Sequence, residues 1–314
     1  PTKPLSNFND PDGEIALCTL SAINWGNIKE PADFEKPCEL AVRGLDALLS
    51  YQNYPVLAAE IATEKRRPLG VGIINLAYFL AKNNTTYQNP DFELIDEYAE
   101  AWSYYLIKAS STLAKEQGMC PGSVETKYGK GITPNQTLVP HQERMDWETL
   151  RTDLQQHGIR NSTLMALMPA ETSAQISNAT NGIEPPRSFV SVKQSKDGVL
   201  KQVIPGIHKL KKKYDLLWDQ KSPEGYLKIM AVLQKYIDQG ISVNTSYNPQ
   251  FYEDEKIPMS EMIQHLLMFY KYGGKQLYYF NTFDGQGEID INKLNESLPL
   301  EDLGDEEACE SCVI

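Results

Sequence analysis

Long hydrophobic runs, basic residues and cysteines are all scarce in this 314-residue chain. No run approaches the roughly 18 apolar residues that a membrane-spanning helix needs, so no span is expected. With 30 basic and 42 acidic residues the formal charge is −12, which argues against a general binder of nucleic acids or anionic membranes. Five cysteines do not make a disulfide scaffold, and a reducing, cytoplasmic setting fits them better. The first residues lack the basic-then-apolar plan of a signal peptide.

The charge that is present is unevenly distributed. Residues 284–314 contain ten acidic residues and one lysine, which is −9 of the total −12, and the last of them have almost no apolar mass to pack. The whole chain has 41% hydrophobic and 23% charged residues, as globular proteins do. We therefore predict a folded part over residues 1–283 and a flexible acidic tail over residues 284–314.

Strand and helix patterns alternate in the part before the tail, without a fixed repeat. Helical spacing of apolar residues predicts helices over residues 38–52, 91–118, 147–158, 226–240 and 260–274. Short apolar runs predict strands over residues 14–24, 162–169, 197–206, 241–249 and 275–283, and residues 66–82 pass from a glycine-punctuated stretch into a helix. This alternation is typical of an α/β fold with mainly parallel strands.

A candidate anion site follows the second of these strands. The chain breaks at a proline and enters a helix, so that unpaired backbone N–H groups meet the positive end of the helix dipole. The residues concerned are Pro169, Ala170, Glu171, Thr172 and Ser173. Ordinary N-capping accounts for the same residue types, so the pattern alone leaves both interpretations open.

Two other features contain redox-capable side chains. Cys309 and Cys312 form a C-x-x-C pair in the tail, where no second cysteine pair or nearby histidine would complete a zinc site, and thiol–disulfide exchange on a mobile arm is favoured. Tyr278 and Tyr279 are adjacent in a predicted strand, where aromatic residues ordinarily serve packing. Neighbouring strand residues point to opposite faces, so a stacked pair would require a local distortion.

The remaining cysteines and the histidines suggest no chemistry by themselves. Cys18 lies in an apolar strand pattern and, like Cys38 and Cys120, is interpreted from the pattern as a small buried hydrophobe. The four histidines are far apart and in no metal-ligand spacing, and no P-loop or G-x-S-x-G motif is present. No metal site is predicted.

Several long strings resemble the C-terminal portion of the large (catalytic, alpha) subunit of class I ribonucleoside-diphosphate reductase. In family order they are PTKPL, GEIALCTLSAIN, RRPLGVGIINLAYFLAK, RNSTLMALMPAETSAQISNATNGIEPPR, LYY and CESC. The resemblance implies the second half of a ten-stranded α/β barrel with C-terminal helix and strand elements and a flexible tail. It also implies that the thiyl-radical cysteine, the first half of the barrel and the regions that bind ATP and dNTP effectors lie upstream of this chain.

The resemblance implies a role for each redox candidate. Cys18 would be the second member of the active-site dithiol, which is oxidised to a disulfide as the ribose 2′-hydroxyl leaves, and its partner cysteine would be in the missing half. Tyr278 and Tyr279 would pass the radical from the small subunit to the thiyl-radical cysteine. Cys309 and Cys312 would re-reduce the active site and then be reduced by thioredoxin or glutaredoxin.

The same resemblance implies that residues 169–173 hold the diphosphate of the ribonucleoside diphosphate substrate. Relatives commonly have a serine at the position of Ala170. The alanine lacks the hydroxyl but keeps the backbone N–H, so a weakened phosphate contact is expected. The two-residue spacing between the tail cysteines is shorter than in some relatives, which would alter their redox poise but not their role. The helix over residues 260–272 would help to form the groove for the small subunit's C-terminal peptide.

No cofactor is expected on this chain itself. The resemblance implies dependence on the metal and tyrosyl radical of the small subunit, and partners that include the upstream half of the large subunit. Alone, the chain should be inactive. A natural split subunit and an excised fragment both remain open, as does a non-catalytic assembly module that binds the small subunit. An unrelated thiol oxidoreductase that uses only the tail cysteines lacks the thioredoxin-like βαβ context.

Overall fold

A computed structural model describes residues 3–136, 141–195 and 198–284. The fold belongs to one unit, Pro1–Thr282, and only the first two residues of the second unit, Phe283–Ile314, are described. The helices are α1 Glu35–Tyr51, α2 Leu57–Arg66, α3 Leu76–Lys82, α4 Phe92–Gln117, α5 Trp147–His157, α6 Glu171–Ile176, α7 Ile207–Leu210, α8 Glu224–Gln234 and α9 Met259–Lys271. The strands are β1 Thr19–Asn24, β2 Leu69–Ile74, β3 Val190–Ser195, β4 Gly198–Val203, β5 Thr245–Tyr247 and β6 Phe280–Thr282. Within the described residues, no helix is long and apolar enough to cross a bilayer.

Five chain segments lie side by side and parallel, in the order of the sequence. β1 pairs with β2 from Thr19↔Leu69 onward, and β5 pairs with β6. Single parallel bridges join the two ladders through an intervening segment, Val71↔Met165 on one side and Leu167↔Ile241 on the other. The predicted α/β class with mainly parallel pairing is confirmed, and the exceptions among the described residues are the antiparallel hairpin of β3 and β4 and a single antiparallel bridge, Lys3↔Glu14.

The first strand is shorter than the prediction of residues 14–24, because β1 begins only at Thr19. The partner strand explains the difference: the residue before Leu69 is Pro68, which has no N–H to donate to a ladder. Glu14 is instead buried among the side chains of Lys3, Lys65 and Arg66. The Arg66 hydrogen bond above all holds the pKa of this carboxyl at about 2.

The predicted strand 162–169 is present only as an irregular segment. The backbone N–H groups of Leu164 and Met165 donate to the carboxylate of Asp238, at 2.7 and 3.0 Å. Two donors are thereby withdrawn from the backbone ladder, which leaves the single bridges to the neighbouring segments. The Asp238 carboxyl is buried, and this burial raises its pKa.

The helix predictions hold in position, with shifted ends. α4 and α5 stop at Gly118 and Gly158, whose φ values of +88° and +68° suit glycine at a helix end. α8 ends at Gln234 rather than near residue 240, and the Nζ of Lys275 donates to the carbonyls of residues 237–239 beyond its end. α2 and β3 were not predicted.

The parallel segments have one buried and one open face. Leu69, Val71 and Ile73 of β2 are almost fully buried against a core that includes α1, α3, α4 and α8. The other face, here called the glycine face, has Gly70 and Gly72 on β2, followed by Ile74, which is buried against Ala170, Ala174 and Ala179. Its members are Cys18, Leu20, Gly70, Gly72, Ala166 and Met168. Leu20 is 48% exposed on it, so the residues that the structure describes leave part of this apolar sheet surface uncovered.

Candidate functional site

Cys18 lies one residue before β1 and is exposed, so its interpretation as a buried hydrophobe is wrong. Its side chain leans across β2: a Cβ built on Gly70 would lie 2.6 Å from the Cys18 Sγ and 2.6 Å from Leu20 Cδ2. The thiol therefore occupies room that exists only because position 70 has no side chain. Neighbouring atoms partly desolvate the thiol, and this desolvation, followed by the charge of Asp238, raises the pKa of Cys18.

A cavity of about 1430 Å³ opens at the amino ends of the parallel segments. Each of the five segments contributes a residue near its amino end to the cavity wall; these residues are Cys18, Pro68, Thr163, Gln239 and Lys275. In open α/β sheets, ligands usually bind at the carboxyl ends of the strands. This cavity is at the opposite edge, and residues 169–173 are not among its walls.

Tyr278 and Tyr279 lie on the same side of the chain, with ring centroids 4.3 Å apart and ring planes at 63°. Both side chains are more than half exposed, at 53% and 56%. The hydrogen bond to the Tyr278 side chain raises the pKa of Tyr279. The two rings are thus in direct contact. Regular strand alternation would point them to opposite faces, so their contact requires a local distortion of the backbone.

The backbone at the tyrosine pair is bulged. In a regular parallel ladder one residue donates to residue i−1 of the neighbour and accepts from residue i+1. Here Tyr278 N–H donates to Val243 O at 2.7 Å, whereas Tyr279 O accepts from Thr245 N–H at 2.9 Å. Two residues occupy the place of one, and strand alternation does not separate the two rings. β6 begins only after them, at Phe280.

Residues 169–173 follow the carboxyl end of the irregular third segment. Pro169, Glu171, Thr172 and Ser173 are exposed, and α6 starts at Glu171. Ala170 is buried, and its N–H donates to Asn181 Oδ1 at 3.1 Å. The Ala170 N–H therefore has a partner within the protein in this structure, and the weakened phosphate contact stays a prediction. The donors left at this turn are the first backbone N–H groups of α6 and the hydroxyl of Thr172.

The structure does not bring all the predicted residues together. Cys18 and the tyrosine pair lie at amino ends of parallel segments, whereas residues 169–173 lie beyond a carboxyl end. Cys309 and Cys312 lie outside the described residues. Within the described part of the chain, no cluster of three or more metal-ligating side chains is present.

The two remaining cysteines are buried, as predicted. The Cys38 Sγ is 3.9 Å from the carbonyl of Trp102, and burial raises its pKa. Burial also raises the pKa of Cys120 to about 11. Neither thiol is poised to react.

Sequence reasoning missed several polar residues at the segment ends. Asn181 accepts a hydrogen bond from Ala170 N–H and so holds the turn before α6. Asn75 donates to Asn24 Oδ1 at 2.9 Å and accepts from Thr180 N–H at 2.9 Å, which ties the carboxyl ends of β1 and β2 to the following loop. Its φ of +67°, a value that asparagine tolerates better than most residues, is the kind of feature that one sequence cannot reveal.

These features define an α/β protein with an open sheet face and redox-capable side chains at the amino ends of parallel strands. The family described as "Ribonucleotide reductase, barrel domain" matches residues 5–280. The chain therefore belongs to the ribonucleotide reductase barrel-domain family.

Three relatives illustrate the similarity. The chain is 53% identical over 297 residues to the ribonucleoside-diphosphate reductase subunit alpha of Haemophilus influenzae, which covers 92% of this chain and 39% of that protein. It is 52% identical over 245 residues to the ribonucleoside-diphosphate reductase 1 subunit alpha of Escherichia coli, covering 76% of this chain and 32% of that protein. With subunit alpha of Enterobacteria phage T4 it shares 44% over 299 residues, covering 91% and 39%. The chain spans about two fifths of these relatives or less, in agreement with its resemblance to the C-terminal portion of the alpha subunit.

Proposed function

We propose that this chain is one part of a ribonucleoside-diphosphate reductase, in which a second polypeptide segment supplies the thiyl-radical cysteine and the first half of the barrel. The observation that carries the proposal is the glycine face. Five parallel segments expose Cys18 and Leu20 on a sheet surface that a complete barrel would enclose. The relatives named above, all of them longer reductase alpha subunits, support the same assignment.

In the proposed reaction, Cys18 and a cysteine of the missing half are oxidised together to a disulfide. The thiols give up two electrons and two protons to the substrate: the C2′–O bond breaks and the hydroxyl leaves as water with one proton, and a C2′–H bond that contains the other proton and the two electrons replaces it. A disulfide requires Cα atoms about 4.4–6.8 Å apart. The exposure of Cys18 beside the room at Gly70 supports this role, because a fully enclosed thiol would not be reached by a cysteine of another chain.

The tyrosine pair and residues 169–173 have separate roles in the proposed reaction. The contact between Tyr278 and Tyr279 supports a transfer step in which an electron and a proton move from one phenol to the phenoxyl of the other. Residues 169–173 hold the substrate diphosphate with the N–H groups that begin α6. The radical originates on the metal-containing small subunit.

The tail cysteines are assigned the re-reduction step. Cys309→Ser or Cys312→Ser in the assembled reductase is expected to abolish repeated turnover with thioredoxin as reductant, while a single turnover proceeds, because the active-site thiols are already reduced at the start. The amount of product formed per enzyme, measured in rapid-quench and in steady-state assays, distinguishes a single turnover from repeated turnover. Ser311→Ala, which changes a residue between the two cysteines and keeps both thiols, is the matched control. Unchanged steady-state rates in the cysteine variants would contradict the assignment.

The open sheet also predicts how the chain behaves alone. An interface that completes a barrel is expected to bury more than about 2,000 Å², and without it the exposed apolar face favours association of the chain with itself. We expect poor solubility and no reductase activity for the isolated chain, and recovery of both on co-expression with the upstream half. Size-exclusion chromatography with light scattering measures whether the chain is monomeric or self-associated, alone and after co-expression. A fully soluble, monodisperse monomer would argue against the proposal.

A non-catalytic assembly module is the second candidate. It is favoured by the exposed apolar side chains along α9, namely Met259, Ile263, Leu266, Leu267 and Tyr270. These side chains fit the predicted groove for the small subunit's C-terminal peptide. The co-expressed assembly separates the candidates, since a well-formed but inactive complex with the small subunit would favour the module.

A further inference from the structure

The bulge at the tyrosine pair creates one backbone donor too many. Tyr278 N–H donates to Val243 O, and Tyr279 O accepts from Thr245 N–H. The Tyr279 N–H is therefore left without a backbone acceptor in the ladder. It donates instead to the side-chain Oδ1 of Asn244, at 3.2 Å. Asn244 is the residue between the two ladder partners, and its amide therefore caps the extra residue of the bulge.

The Asn244 amide is itself held from the other side. Its Nδ2 donates to Glu184 Oε1 at 2.7 Å, a short bond to a carboxylate of the kind that is stronger than a neutral hydrogen bond. Both side chains are half-buried. The Thr245 hydroxyl adds a weak contact to Tyr279 O at 3.4 Å. Glu184 thus orients the amide so that its oxygen, and not its nitrogen, faces Tyr279.

We infer that Asn244 is a positioning residue for the Tyr278–Tyr279 pair, acting through the backbone of Tyr279; this rests on the proposed function of the pair. Without the Asn244 oxygen, the extra N–H loses its acceptor on the protein, and the bulge loses a contact that favours it over regular pairing. A ladder that relaxes by one residue to regular pairing turns neighbouring side chains to opposite faces. The two rings, now 4.3 Å apart between centroids, would then separate.

The test uses the assembled reductase, made of this chain, the upstream polypeptide and the small subunit. Asn244→Leu keeps the size of the side chain but removes both polar atoms. We expect kcat to fall roughly tenfold or more while KM for the nucleotide stays within about twofold, because substrate binding does not involve this bulge. A tenfold change in rate corresponds to about 1.4 kcal/mol in the barrier.

A pair of charge-exchanged variants tests the mechanism. Asn244→Asp keeps an acceptor for Tyr279 N–H but places a carboxylate against that of Glu184, so kcat is expected to fall. Asn244→Asp combined with Glu184→Gln restores one donor and one acceptor in exchanged positions, and kcat is expected to return to within about threefold of the unmodified enzyme. Loss of packing alone would not be rescued by this exchange.

Asn83→Leu is the matched control, because Asn83 Nδ2 donates to the carbonyl of Phe79 at the end of α3, in another part of the fold. Unchanged kcat in this variant is expected, and correct assembly of every variant is checked by size-exclusion chromatography. Tyr279→Phe is measured in parallel. If it retains turnover, the proposed function of the pair fails, and this inference with it. If it is inactive while Asn244→Leu turns over normally, or if the exchanged pair shows no rescue, only the role of Asn244 is overturned.

Discussion

Tyr279→Phe is expected to reduce ribonucleotide reduction by the assembled enzyme to background, about 10³-fold or more, and Tyr278→Phe to do the same. Phenylalanine preserves the ring and its packing but has no O–H, so it can neither give up a hydrogen atom nor take one back. The rings are in contact and largely exposed, so the loss of a hydroxyl leaves no buried cavity, and water can replace the lost hydrogen bond between the two side chains. Loss of activity would therefore report on chemistry, and the fold should be preserved.

Nucleotide binding and turnover are measured on the same preparations. Binding of a ribonucleoside diphosphate is expected to be unchanged, because residues 169–173 lie at the other end of the parallel segments. Tyr51→Phe is the matched control, since Tyr51 is 87% exposed at the end of α1 and has no proposed role. Turnover near that of the unmodified enzyme in either Tyr278→Phe or Tyr279→Phe would refute the transfer role.

Gly70→Ala is expected to impair the oxidation of Cys18 strongly, with turnover reduced about tenfold or more. The added Cβ would lie 2.6 Å from the Cys18 Sγ and 3.2 Å from Ala166 Cβ, so the thiol must leave its present position. Gly70 does not have a positive φ, and alanine there causes no backbone strain of the kind found at left-handed glycines. The effect would therefore come from the displaced thiol and from Leu20, and not from a broken strand.

The readout for Gly70→Ala is the yield of a single turnover without external reductant, together with the amount of disulfide formed at Cys18. Gly44→Ala provides the comparison, because nothing lies within 4 Å of the Cβ added at that exposed position of α1. This control should leave activity unchanged and stabilise α1 by about 0.5–1 kcal/mol. A normal single-turnover yield from Gly70→Ala would show that the position of the thiol over β2 does not matter.

The local sequence was a good guide where one periodic pattern decides the structure. The amphipathic repeat of α4 and the glycines after α4 and α5 predict those helices, since an apolar stripe and a left-handed end are properties of a few neighbouring residues. Strand ends were predicted less well. β1 starts late because of Pro68 on its partner, and the third segment is irregular because Asp238 takes two of its N–H groups. Both causes lie far away along the chain.

The candidate site divides in the same way. Cys18, the tyrosine pair and residues 169–173 were singled out from the sequence because long motifs mark them, although the resemblance and not the residue pattern supplied their proposed roles. Cys18 was expected to be buried, and the structure corrects this. The room beside Gly70 and the hydrogen bond from Ala170 N–H to Asn181 could not be predicted, because neither motifs nor periodicity connect these residues to each other.

By itself, the sequence determined the alternation of helices and parallel strands, the acidic character of residues 284–314 and the membership of the reductase family. These properties follow from composition and from short-range patterns. Only the tertiary structure decided that Tyr278 and Tyr279 share one side of their segment. That arrangement depends on a bulge whose extra N–H is capped by Asn244, and the hydrogen-bond partner of a backbone group is set by which distant segment packs beside it.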